Sequence, residues 1–163
     1  MRCLFLLLPA VLLTASAQAQ IGRGAQEFNG SGSALFDDDF TVINVGMSYG
    51  YFLTRNAEIG PSVQITHVST DDDFGDNSST SAVIGGFGHL HFGGRRSTSV
   101  PFVGFEAGAA VGDGDDGAVF GLVAGGKFFV APGAALVPAA SFQFDDDGNS
   151  VFGARFGVSA FLR

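Results

Sequence analysis

Three sets of residues in this 163-residue chain have types and spacings that chemistry uses. The first is a group of isolated charges: Glu27, Glu58, Glu106, Lys127 and Arg155, each set among small or apolar neighbours. Paired carboxylates serve glycoside hydrolysis when a sugar-sized cleft holds the substrate between them. Acids matched by bases also form internal ion pairs, because a charge leaves water only when it is paired and hydrogen-bonded. His89 and His91 add two imidazoles to this group. The second set is the aspartates: Asp37 to Asp39; Asp71 to Asp73 with Asp76; Asp113, Asp115 and Asp116; and Asp145 to Asp147. Carboxylates beside flexible glycines offer hard oxygen ligands to Ca²⁺ or Mg²⁺. No run supplies the twelfth-position acid of an EF-hand loop. The expectation is loose divalent-cation binding at acidic loops, with no ordered metal site. The third set is His67-Val68-Ser69. A nucleophilic serine needs a base and a third group that orients the base, and no Glu follows nearby. The chain therefore reads as a non-enzyme with no catalytic residue and no cofactor. Its one cysteine, Cys3, excludes a disulfide framework and a Cys-ligated zinc site.

The first twenty residues serve as an address and position none of these groups. Met1-Arg2 is a short positive start, Leu4 to Leu13 an apolar run, and Ala17-Gln18-Ala19 a small-residue cleavage site. This is the pattern of a secretory signal peptide, here residues 1–19. A run of ten is too short to cross a bilayer as a helix, which takes about 20 residues. Residues 20–163 form the second unit, a single domain. Within it no window keeps apolar residues at helical spacing. Period-2 alternation recurs between clusters of Asp, Gly, Asn and Ser. Strands are expected over 25–36, 40–53, 57–69, 80–92, 100–112, 118–130, 134–145 and 150–162.

The two faces of these strands decide the class. Strand two carries Ile43, Val45, Met47, Tyr49, Tyr51 and Leu53 on one face, and Asn44, Gly46, Ser48 and Gly50 on the other. Strands three, five, six and eight repeat the division. A soluble sandwich would place many long polar side chains on its wet face. Here the polar face is mostly Gly, Ser and Ala, which suits the interior of a narrow barrel. The apolar face is nearly free of charge, which suits lipid. All five isolated charges fall on the small-residue face and are expected to point into the lumen. The connections give an independent sign. All 13 aspartates lie in the first, third, fifth and seventh connections, whereas the even ones hold no acid and carry Arg55, Arg95 and Arg96. Turns that alternate between two sides of a membrane produce such parity. The net charge of −8, without a basic cluster beyond Arg95-Arg96, argues against nucleic-acid binding.

Three stretches carry a likeness to a known family: Val42 to Leu53, Pro101 to Gly108, and Val151 to Arg163. They resemble the small outer-membrane β-barrels of the OmpA and OmpX transmembrane type. The resemblance implies an all-β fold, an eight-stranded antiparallel up-and-down transmembrane barrel in the bacterial outer membrane. It implies a monomer, with outer-membrane lipid and lipopolysaccharide around it and the barrel-assembly machinery as its partner in biogenesis. The implied role is non-enzymatic: membrane structure, surface properties or minor, porin-like permeability. The chain departs from the family in ending Phe161-Leu162-Arg163 and in lacking Trp. His67-Val68-Ser69 faintly resembles the His-x-Ser-Asn motif of lipid A deacylases, with Thr70 in place of Asn. The alternatives are thus an outer-membrane lipid hydrolase, or an adhesion or binding protein acting through the acidic loops.

Overall fold

The computed structural model describes residues 21–36, 40–72, 75–93, 97–112 and 117–162. The signal segment 1–19 lies outside these, as do Asp37 to Asp39, Asp73, Arg95, Arg96, Asp113, Asp115 and Asp116. Eight strands form one closed antiparallel barrel, with strand order equal to chain order. They are β1 (Gln26–Phe36), β2 (Phe40–Phe52), β3 (Ala57–Asp72), β4 (Gly75–His91), β5 (Ser99–Gly112), β6 (Gly117–Ala131), β7 (Ala134–Asp145) and β8 (Ser150–Leu162). β1 pairs with β8, from Gln26↔Leu162 to Gly32↔Phe156, which closes the ring. The same pairing brings the two ends of the described chain to one end of the barrel, called here the terminal end. Asp145 to Asp147 lie at the opposite, acidic end.

Burial is inverted relative to a soluble domain. Large apolar side chains face outward: Met47 is 67% exposed, Leu122 62% and Phe152 74%. Glu58 and Lys127, by contrast, are 1% and 2% exposed. Such an exterior is stable in hydrocarbon, where pairing between neighbouring strands satisfies the backbone polar groups. Outward phenylalanines such as Phe28, Phe92 and Phe128 stand where tryptophan is lacking.

The third hairpin differs from expectation. The sequence pattern puts its connection over about 70–79, yet the ladder continues through Thr70↔Asn77, Asp71↔Asp76 and Asp72↔Gly75. The alternation of apolar and polar residues stops at Val68, but Ser and Thr hold an extended backbone well. The ladder therefore outlasts the apolar signal. At 16 and 17 residues, β3 and β4 exceed the roughly 9–11 that a tilted strand needs to cross a bilayer. β4 pairs with β5 only as far as Ser81↔Gly112, so the outer part of the hairpin rises above its neighbour.

Candidate functional site

The inward residues near the terminal end are spread around the ring and meet at its centre. β1 supplies Glu27, β3 Glu58, β4 His89 and His91, β6 Lys127 and β8 Ser159. Lys127 Nζ forms ion pairs with Glu27 Oε2 and with Glu58 Oε2, the latter at 2.9 Å. Glu58 Oε2 also lies 2.8 Å from His91 Nε2 and 3.7 Å from His89 Nδ1. Ser159 Oγ donates to Glu27 Oε1 at 2.5 Å and accepts from Asn29 Nδ2 at 2.8 Å. The ammonium lies 5.2 Å from the ring centre of Phe52, 5.7 Å from Phe102 and 5.6 Å from Phe161, within cation–π reach of all three. Beneath the charges, Ile21, Ala25, Phe52, Val100, Phe129 and Ala135 form an apolar floor packed against Phe161.

Inner-face glycines make this crowding feasible. A Cβ on Gly50 would collide with the carboxylate of Glu58, and one on Gly104 would meet the ring of His89. Gly125 leaves room for Phe102 in the same way. Their missing side chains provide space that neighbouring side chains occupy.

A second charged layer spans the middle of the barrel. Arg155 of β8 reaches across to Glu106 of β5 in a bidentate pair: Nη1 donates to Oε2 at 3.1 Å and Nη2 to Oε1. These side chains are 21% and 17% exposed, respectively, so this pair is wetter than the lower one. A cavity of about 70 Å³ runs alongside both layers, touching Glu58, His89, Lys127, Glu106, Gln143 and Arg155. It has room for a few waters. The five charges singled out from sequence thus form two separate groups, Glu27–Lys127–Glu58 and Glu106–Arg155. Sequence reasoning gave Ser159 and Asn29 no role. Their only signal was a polar residue at an inward position of the alternation.

The other candidate chemistries are dispersed. His67 Nδ1 is hydrogen-bonded to Thr80 Oγ1 across the β3–β4 ladder at 2.9 Å. Asp145 accepts from the Asn149 backbone N–H at 2.7 Å and from its Nδ2 at 2.9 Å. These bonds hold the Asp145 carboxyl below its ordinary range. Among the described residues, the donor set with ligand atoms close enough for one ion is Glu58, His89 and His91.

No family model matches the sequence, and no curated protein does. Solved structures do resemble the fold. The N-terminal β-barrel domain of Pseudomonas aeruginosa OprF aligns with a TM-score of 0.60 at 16% identity, covering 86% of this chain and 99% of that one. The Yersinia pestis outer membrane protein Ail gives 0.59 at 12% identity, covering 85% and 99%. Neisserial surface protein A gives 0.54 at 16%, covering 83% and 94%. At these identities the likeness is one of fold. The chain thus has the fold of the small eight-stranded outer-membrane barrels.

Proposed function

We propose that the protein is a non-enzymatic barrel of the bacterial outer membrane that acts through membrane structure and surface properties, with permeability at most minor. One observation carries this reading: the lumen is crossed twice by ion pairs and floored by apolar side chains. Eight strands enclose an interior only just wide enough for side chains to fill, and these side chains leave a cavity of only about 70 Å³ beside them. The outward apolar wall suits outer-membrane lipid and lipopolysaccharide, and the closed single-chain ladder suits a monomer. The hydrolase alternative rests on His67 and Ser69, and the partner of His67 Nδ1 is the Thr80 hydroxyl where an orienting carboxylate would favour it. The adhesion alternative rests on short acidic turns, to which the tall β3–β4 hairpin adds reach.

Planar-bilayer recording of the purified protein tests the reading. The expected result is no steady large channel, with rare small openings that become frequent in Glu106→Ala or Arg155→Ala. Steady porin-sized conductance from the wild-type monomer would move the function to solute diffusion.

A further inference from the structure

His89 and His91 stand two apart on β4, so both rings turn inward. Their partner across the ladder is Glu58, which pairs directly with His89. One ligand atom from each of the three lies within 4.8 Å of the other two. His91 Nε2 and Glu58 Oε2 are 2.8 Å apart, and His89 Nδ1 is 3.7 Å from the same oxygen. The longer gap exceeds a hydrogen bond. It is close to what one shared ion requires: with bonds of about 2.0–2.2 Å and near-tetrahedral angles, ligand atoms stand roughly 3.3–3.6 Å apart, so the 2.8 Å pair is a hydrogen bond that the ion would replace by a slight opening.

Two further observations point to a ligand. Both ring nitrogens of His89, and Nδ1 of His91, are shielded from solvent without a hydrogen-bond partner among the described residues. His91 as a whole is only 2% exposed. Dry polar atoms without partners are costly and call for an explanation. The cluster is also rich in acid groups, because two carboxyls, Glu27 and Glu58, face the single ammonium of Lys127.

We propose that Glu58, His89 and His91 bind one divalent transition-metal ion of the zinc class. Two imidazoles and a carboxylate favour Zn²⁺, Cu²⁺ or Ni²⁺ over Ca²⁺ and Mg²⁺. Lys127 opposes the ion from 2.9 Å off Glu58 Oε2, but its pair with Glu27 gives it a second carboxylate to turn to. The lumen cavity touches Glu58 and His89 and provides the way in, while the apolar floor closes the other side. Two neighbouring strands hold all three ligands, so little ordering is left to the binding step. The ion would tie β3 to β4 inside the lumen, whether or not the barrel conducts.

The test uses tag-free protein folded in detergent, with folding checked by heat-modifiable gel mobility. Zn²⁺ titrated by calorimetry should bind at one ion per chain. His89→Gln and His91→Gln should each weaken binding at least tenfold, whereas His67→Gln, at the distant hairpin, should leave it unchanged. Absence of uptake by the wild type, or uptake that survives both lumen substitutions, overturns the proposal. Should those variants fail to fold, Cu²⁺ in the wild-type protein reports the ligands by electron paramagnetic resonance. Coupling to two imidazole nitrogens supports the site, and coupling to one or none overturns it.

Discussion

The two charged layers of the lumen use the same chemistry in different surroundings. In the lower layer, Lys127 serves two carboxylates among three aromatic rings, above a floor that excludes water. In the middle layer, Arg155 serves one carboxylate, and the two side chains keep 21% and 17% exposure against 1–3% below. A guanidinium and a carboxylate that match in two bonds form a complete unit. An ammonium is a point charge and completes itself only with several acceptors. The lower layer is therefore interdependent, and losing one member leaves others stranded in a dry place. In the middle layer a stranded partner can take up water. Depth, then, separates a group that holds the barrel together from one that can open.

The largest expected effect follows from this difference. Lys127→Met leaves Glu27 and Glu58 buried without a cation, and breaking a buried pair in this way costs about 3–5 kcal/mol. Urea unfolding in lipid vesicles should show the loss as a lowered midpoint. Adding Glu27→Gln and Glu58→Gln to Lys127→Met should recover part of it, because no charge is then stranded. Failure of the triple variant to recover would mean that Lys127 acts mainly by packing its stem.

Gly50→Ala comes next. The new methyl would occupy the place of the Glu58 carboxylate, which Lys127 and His91 hold from the other side. Overpacking a filled interior of this kind costs about 1–3 kcal/mol. Gly30→Ala is the control, since nothing lies within 4 Å of a Cβ there. Equal unfolding midpoints for the two variants would show that Glu58 moves aside freely and that the lower layer is loose.

Arg155→Met should cost less, about 1–2 kcal/mol, because Glu106, at 17% exposure, keeps contact with water. Its larger effect should be on conductance, with openings more frequent than in the wild type. A midpoint shift as large as that of Lys127→Met would erase the distinction between the layers and make the middle pair a structural element like the lower one.

How much of this was legible in sequence depends on distance along and around the wall. Period-2 alternation is local, so Met47 outward and Gly46 inward could be read from neighbours alone, and the eight strands with them. The end of the third hairpin could not, because Ser78, Ser79 and Thr80 pair in the ladder without any apolar alternation. The pairing of charges was harder still. Lys127 meets Glu27 and Glu58 across the lumen, from strands that are not its neighbours. That meeting depends on strand tilt and stagger, which alternation does not encode. Gly50 reads as a small inward residue. Only Glu58, packed against it from the neighbouring strand β3 across the β2–β3 turn, explains why it must be glycine.

The smallest expected effect lies outside both layers, at the acidic mouth, where charge faces water. Asp145 is held by Asn149 through two bonds that need the ionised carboxylate as acceptor. Its folded-state pKa is lowered from 3.8, so the ionised form supports the turn above that value, and the support is lost as pH falls below it. Solvent screens such a group, so the global unfolding midpoint should stay the same in Asp145→Ala and wild type near neutral pH. The change should be local. Hydrogen exchange at the Asn149 amide, which donates to Asp145 Oδ1, should quicken relative to its intrinsic rate in Asp145→Ala near neutral pH, and in the wild type as pH falls below 3.8. The amide of Gly104, in the wall of the lumen, should keep its protection in both. If protection at Gly104 fell together with that at Asn149, the mouth and the lumen would be one cooperative unit, and the contrast between wet and dry charge would not extend to the rim.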